Sequence, residues 1–191
     1  MNRAVDVAVA GVGLALTSPF LGLAALAIKL EDRGPVLYRQ ARVGKDGVDF
    51  EVLKLRTMVV GAEGMGAGFA VDEGDRRVTH VGRVLRRTSV DELPQLWNVL
   101  RGDMSVIGPR PTLRYQVEQY DEHQRRRLEV RPGLTGWAQV HGRAALPWAE
   151  RIELDVQYVE NRSPRLDLEI LLRTPLALFR GTYRGATGGW R

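Results

Sequence analysis

The chain has no cysteine, which excludes a disulfide framework and any cysteine-ligated zinc site. Its three histidines (His80, His123, His141) are too scattered to suggest a histidine-bound metal. Lysine is nearly missing: of 28 basic side chains only Lys29, Lys45 and Lys54 are lysine. The net charge of +5 favours anionic partners such as phosphates, nucleic acid or an acidic membrane face. No recognition helix, zinc finger or aromatic RNA-binding signature is present, so nucleic acid is disfavoured. The glycine-rich, acidic stretch Gly61 to Arg77 lacks the strand-glycine-helix spacing of a dinucleotide fingerprint. It reads as a mobile loop, either a lid over substrate or plain surface. At 191 residues the chain suits one domain with a real core rather than two full ones.

What it does have is a long apolar run. Val5 to Leu30 is broken only by Asp6, Thr17, Ser18 and Lys29, and about 25 residues suffice to cross a bilayer. The weakly basic start, the length of the run and the lack of a small-residue cleavage site argue against a cleaved signal. Ser18-Pro19 interrupts the run, and a proline there predicts a kink. A kinked span and a re-entrant hairpin both tolerate it, and hydropathy does not separate them; a buried core helix is the blander alternative. Lys29 and Arg33 on one flank against Arg3 on the other weakly favour an internal catalytic part.

The stretch Arg83 to Pro111 carries the chemistry. Asp91 and Glu92 adjoin apolar positions Leu93, Leu96, Trp97 and Leu100 at helical spacing. Arg83, Arg86 and Arg87 share a helical face before the acids, and Arg110 follows between two prolines that hold it extended. Carboxylates that bind a divalent cation or attack phosphorus, beside arginines that fork onto phosphate oxygens, are the parts of a phosphoryl-transfer site. The plainer alternative is a capping box, Ser89-x-x-Glu92. Against it, Pro94 would then cost a helix hydrogen bond, whereas with Asp91 as cap it would not.

Pro35–Arg42 and Val48–Arg56 read as two strands about an Asp46-Gly47 turn. A slip in alternation at Val52-Leu53 predicts a bulge or strand end. Lys54 and Arg56 point into a phosphate site or form a solvated strand face. Leu113 to Glu129 predicts one polar helix whose basic run, Gln124 to Arg127, faces solvent or lipid headgroups. Trp148–Asn161 predicts an amphipathic helix with Asp155 and Tyr158 as structural hydrogen-bond partners. Leu166–Phe179 predicts a last helix, kinked at Pro175, packed in the core or lying in the membrane interface.

Asp91-Glu92-Leu93-Pro94-Gln95-Leu96-Trp97-Asn98-Val99-Leu100-Arg101-Gly102-Asp103-Met104-Ser105-Val106-Ile107-Gly108-Pro109-Arg110-Pro111 resembles the signature of the bacterial sugar transferases, the monotopic phosphoglycosyl transferases. So do Ser18-Pro19, Gly34-Pro35-Val36, Gln40-x-Arg42-x-Gly44, Lys54-x-Arg56-Thr57-Met58, Arg131 through Val140, and Asp155-x-x-Tyr158-Val159. Together they cover nearly the whole chain in the family's order. Val90 and Leu55 stand where the family usually has leucine and phenylalanine. Arg143-Ala144 stands where it usually has Arg-Asn, a departure that bears on sugar recognition.

The resemblance implies an α+β fold: a broken, re-entrant membrane helix (residues 1–31, broken at Ser18 and Pro19), then a catalytic domain (residues 32–191). That domain would hold a short β-hairpin and be mostly helical, with interfacial amphipathic helices. It implies transfer of a sugar 1-phosphate from a UDP-sugar to polyprenyl (undecaprenyl) phosphate, releasing UMP, at the start of glycoconjugate or polysaccharide assembly. Asp91 would be the nucleophile, forming a covalent aspartyl phosphosugar, and Asp91 and Glu92 would hold Mg2+. Arg86, Arg110, Lys54 and Arg56 would bind substrate. The site would sit on the cytosolic face of the inner membrane, monotopically, with no nucleic-acid partner and homo-oligomerisation left open. Direct one-step transfer with both acids as metal ligands, and a non-enzymatic membrane-anchored binding module, are the alternatives.

Overall fold

The computed structural model describes residues 2–65, 74–142 and 145–179. The expected features at residues 66–73 of the glycine-rich stretch and at Arg143-Ala144 lie outside these.

The apolar run forms helix α1 (Arg3–Asp32), begun by Asn2, whose side chain accepts from the Ala4 amide (3.0 Å). The expected break at Ser18 and Pro19 is replaced by unbroken helix. Pro19 cannot donate to the Ala15 carbonyl; the Ser18 hydroxyl donates to it instead (2.9 Å), and Thr17 donates to Gly13 O (2.7 Å). Short polar side chains thus make good the bond that proline removes.

Both ends of α1 are tied to the rest of the molecule. At the start, Arg3 donates to the carbonyls of Val99 and Leu100, and buried Asp6 accepts from the Ser105 hydroxyl (2.8 Å) and the Val106 amide (2.9 Å). At the far end, Glu31 accepts from the His80 and Val81 amides (2.7 and 3.2 Å), and Asp32 pairs with Arg56. Between these ties Leu16, Phe20, Leu23, Leu26 and Leu30 are exposed.

An antiparallel hairpin follows, β1 (Leu37–Val43) and β2 (Asp49–Leu55). Its register runs evenly from Leu37 opposite Leu55 to Val43 opposite Asp49, so the bulge expected at Val52-Leu53 is absent. The slip in alternation has another cause. Fully buried Asn98 covers that edge of β2, accepting from the Leu53 amide (3.0 Å) and donating to Glu51 O (2.7 Å).

Asn98 belongs to α3 (Gln95–Arg101), reached through α2 (His80–Thr88) and a 3-10 turn at Val90–Glu92. Next, β3 (Ser105–Ile107) runs parallel to β4 (Gly133–Thr135), a pairing the sequence reading did not anticipate. The backbones approach so closely that a Cβ on Gly133 would lie 2.0 Å from the Gly108 nitrogen.

The single helix expected from Leu113 to Glu129 is instead α4 (Arg114–Val117), α5 (Glu122–Arg125) and a 3-10 turn. A capping box restarts the helix: Asp121 accepts from the Gln124 amide (2.8 Å), and Gln124 accepts from the Asp121 amide (3.2 Å). The rest is α6 (Trp137–His141), α7 (Trp148–Glu160) and α8 (Pro164–Phe179). α8 packs in the core, one of its two expected roles, through fully buried Ile170, and leaves Leu168, Leu172 and Leu176 exposed.

The class is α+β as expected: a small hairpin, a largely helical body and one long apolar helix. One core joins Ala10 of α1 to Leu96 and Val99 of α3, Ile107 of β3, Val140 of α6, Tyr158 of α7 and Ile170 of α8. Packing therefore bridges the boundary expected after residue 31.

Candidate active site

Asp91 and Glu92 close the 3-10 turn between α2 and α3. Neither capping scheme is realised. Ser89 is the left-handed C-cap of α2 (φ 57°), and α3 starts only at Gln95 after Pro94. The two acids are thus held by a turn fixed at both ends, Glu92 N to Ser89 O (3.2 Å) and Leu93 N to Val90 O (3.2 Å).

Their environments differ. Glu92 Oε1 accepts from Lys54 Nζ (2.9 Å) and Arg110 Nη2 (2.6 Å). Burial opposes its charge, but these two cations outweigh it and hold the carboxyl well below the usual range. Asp91 is buried, and no hydrogen bond reaches its carboxylate among the described residues. Burial, then the neighbouring charge of Glu92, push it up to about 6 against the pull of Lys54, Arg86 and Arg110. One acid is held permanently ionised and engaged. The other is unengaged and titrates near neutrality, the pattern that marks reactive carboxylates.

Of the expected phosphate ligands, three gather here. Lys54 arrives from β2, Arg110 from the segment after β3, and Arg86 from α2, where its Nε donates to the Thr57 hydroxyl (2.8 Å). Arg83 and Arg87 of the same helix are exposed. Arg56 does not join them. It lies just past the end of β2, and its guanidinium is buried against Asp32 and the Pro35 carbonyl. Arg56→Ala should therefore lower thermal stability, by about 2 kcal/mol for bonds to a charged group, and leave substrate KM near that of wild type.

Sequence reasoning missed Arg127. Its basic run is expected to face solvent or lipid headgroups, yet Arg127 is 4% exposed and pairs with Asp155, itself 2% exposed. Arg127 also donates to the Tyr120 hydroxyl and to the carbonyl of Arg110 (3.0 Å), so it holds the backbone that carries a phosphate ligand. The apolar residues around it, Val117, Tyr120, Ile152, Val156 and Trp148, were the available signal. The expected structural roles of Asp155 and Tyr158 hold: Tyr158 donates to Asp167 (2.8 Å).

Among the described residues no group of three or more carboxylate or histidine side chains converges. An acidic pair is not a closed cage, but Mg2+ typically takes one or two carboxylates and completes its shell with water and substrate phosphates. The unengaged Asp91 carboxylate fits that use. Glu92 fits it only by sharing its oxygens with Lys54 and Arg110.

A family model, bacterial sugar transferase, matches residues 1–181. The chain is similar to the UDP-glucose:undecaprenyl-phosphate glucose-1-phosphate transferase of Caulobacter vibrioides, 49% identical over 181 residues, covering 91% of this chain and 67% of the relative. It is also similar to the UDP-N-acetylgalactosamine-undecaprenyl-phosphate N-acetylgalactosaminephosphotransferase of Aeromonas hydrophila, 46% identical over 187 residues, covering 95% of this chain and 44% of the relative. The exopolysaccharide production protein ExoY of Rhizobium meliloti is 42% identical over 198 residues, covering 95% and 88%. The chain thus spans under half of the Aeromonas relative and about two thirds of the Caulobacter one.

Proposed function

The chain belongs to the bacterial sugar transferase family, and from that premise we propose that it moves a sugar 1-phosphate from a UDP-sugar to undecaprenyl phosphate with release of UMP. Two relatives are named for this reaction with glucose or N-acetylgalactosamine donors. The observation that carries the reading is the contrast between the two acids: an unengaged Asp91 beside a Glu92 held by Lys54 and Arg110.

In the proposed mechanism the Asp91 carboxylate attacks the sugar-side phosphorus. The bond from that phosphorus to the bridging oxygen breaks, UMP leaves with the electron pair, and an acyl phosphate remains on Asp91. The lipid phosphate oxygen then attacks the same phosphorus and returns Asp91 as a carboxylate. Arg110 and Arg86 neutralise phosphate charge, the planar guanidinium engaging two oxygens at once. Glu92 keeps Lys54 and Arg110 aligned, and Asp91 and Glu92 would hold Mg2+ together with substrate oxygens. That ion would supply charge neutralisation on the diphosphate. Incubating the full chain with undecaprenyl phosphate, Mg2+ and a panel of UDP-sugars tests the reading. UMP release dependent on one sugar is expected, and none with any donor would overturn it.

For membrane placement the proposal is that unbroken α1, with residues 1–31 as anchor, is embedded from the cytosolic face without crossing the bilayer, the exposed leucines of α8 lying in the interface. Support comes from the ties at both ends of α1, Arg3 and Asp6 at one and Glu31 and Asp32 at the other, to the same folded body. A full span would carry one of those ends, and the part of the body tied to it, across about 30 Å of hydrocarbon. Because the native chain has no cysteine, Asn2→Cys and exposed Glu118→Cys can be labelled singly with an impermeant reagent. Both should react in inverted vesicles and neither in intact cells; opposite accessibility would establish a span.

A further inference from the structure

Arg42 takes no part in the site as described so far, yet it lies beside it. It sits near the end of β1, where the Val43 amide donates to Thr112 O (2.9 Å), so β1 runs alongside the segment that presents Arg110. The Arg42 side chain is half-buried. Its Nε and Nη2 donate to Gln40 Oε1 (3.1 and 2.6 Å), and its Nη1 donates to the Pro111 carbonyl (3.3 Å).

Arg42 differs from the paired cations around it in how its charge is answered. Lys54 and Arg110 share Glu92, Arg56 has Asp32, Arg114 has Asp49 and Arg127 has Asp155. Arg42 has no carboxylate within ion-pair reach among the described residues; its partners are a neutral amide and a carbonyl. Gln40 therefore orients the guanidinium without neutralising it. Burial and the nearby Arg110 charge bring its pKa down to about 10, so it remains a cation at neutral pH beside a second one.

A half-buried cation next to another is unfavourable in the free protein and is relieved when an anion bridges the two. Three of the five guanidinium N–H donors are used. The remaining two, one on each Nη, form the pair that a guanidinium presents to two phosphate oxygens.

We propose that Arg42, oriented by Gln40, is a substrate-binding residue that clamps a phosphoryl group together with Arg110. The ligand is a phosphate oxyanion of a substrate, either the diphosphate of the nucleotide sugar or the headgroup of the lipid acceptor. The inference rests on the proposed sugar-phosphate transfer for its substrates, but the clamp itself is tested without turnover.

Isothermal titration of the full chain in detergent with inorganic pyrophosphate, and separately with a short-chain polyprenyl phosphate, reads the clamp directly. Arg42→Gln should weaken at least one of the two ligands about tenfold, and Arg42→Lys by less, since an ammonium keeps the charge but lacks the fork. Gln40→Leu, which keeps Arg42 but removes its orienting acceptor, should fall between wild type and Arg42→Gln. Melting temperatures should stay near wild type. In kinetics the corresponding KM should rise: the donor KM if the clamp grips the diphosphate, the lipid KM if it grips the acceptor.

Affinities for both ligands unchanged in Arg42→Gln would overturn the proposal, as would a wild-type chain that binds neither. Should Arg42→Gln fail to fold, unchanged affinities in both Arg42→Lys and Gln40→Leu do the same. An enzyme that turns over normally with Arg42 replaced removes the clamp and leaves sugar transfer standing. A chain that binds pyrophosphate through Arg42 but turns over no sugar nucleotide removes sugar transfer and leaves the clamp.

Discussion

Asp91→Asn is expected to abolish turnover and, in the same protein, to raise its stability. An amide has neither the charge nor the basicity to attack phosphorus, and loss of a nucleophile costs about 10⁴-fold or more. With donor, Mg2+ and no lipid acceptor, the wild-type chain should release up to one equivalent of UMP per site and retain a hydroxylamine-labile sugar phosphate. Asp91→Asn should show neither. An enzyme active with acceptor that gives no burst and no adduct would favour direct transfer and reduce Asp91 to a metal ligand.

The gain in stability follows from the same burial that tunes the acid. Folding raises the Asp91 pKa from 3.8 to about 6, so the unfolded chain gives up that proton first. The ionised carboxylate therefore costs the fold progressively as pH rises from about 4 to 6, reaching on the order of 3 kcal/mol above that range. A buried amide has hydrogen bonds of its own to satisfy, so the net gain in Asp91→Asn is smaller, about 1–2 kcal/mol or roughly 3–6 °C at pH 7.5 in EDTA. Below pH 4, where the wild-type acid is neutral, the order should reverse, the amide variant being less stable by about 1–2 kcal/mol. Burst rate in the wild type should rise through pH 6 and level off as the nucleophile ionises.

Asp155→Leu is expected to be the most destabilising single change named here. It leaves the Arg127 guanidinium, 4% exposed, without its carboxylate, and stripping one partner from a buried pair costs about 3–5 kcal/mol. Arg127→Met with Asp155→Leu should recover most of that, because two apolar side chains of similar volume replace the pair. Activity should not recover with stability. Arg127 also holds the Arg110 carbonyl, so the double variant should melt near wild type with a raised substrate KM. A double variant with wild-type KM would reduce Arg127 to a packing role. Melting in detergent and initial rates on the same preparation read both.

A long apolar run marked α1, an Asp-Gly turn the hairpin, and helical spacing α2, α3, α7 and α8; the acidic pair with Arg86 and Arg110 was legible because adjacent acids among spaced arginines form a chemical pattern, whereas Lys54 was left open between that site and a solvated face. What escaped was decided by tertiary contact. β3 and β4 are three residues each and pair across 28 positions, too short and too distant for any local pattern. Arg127 looks like its solvated neighbours because only the wall of α7 makes it different. Arg56 and Lys54 have the spacing of one strand face, but Arg56 lies past the end of β2, where Asp32 at the end of α1 takes its guanidinium. Pro19 misled because proline's effect on a helix depends on its surroundings, and Ser18 supplies the missing donor.

The ties at the two ends of α1 also bear on the order of events during synthesis. Arg3 and Asp6 leave the ribosome ahead of their partners, Val99, Leu100, Ser105 and Val106, which follow about 100 residues later, some 5–20 s at usual elongation rates. Throughout that interval the helix is an apolar segment with an unanswered acid near its start. On the proposed membrane placement its orientation would be fixed late, by capture of its first turn on α3 and β3. A Ser105 or Asp6 substitution that weakens the capture should show itself first as a mixture of two topologies in newly made chains, before any loss of stability in those that dock correctly.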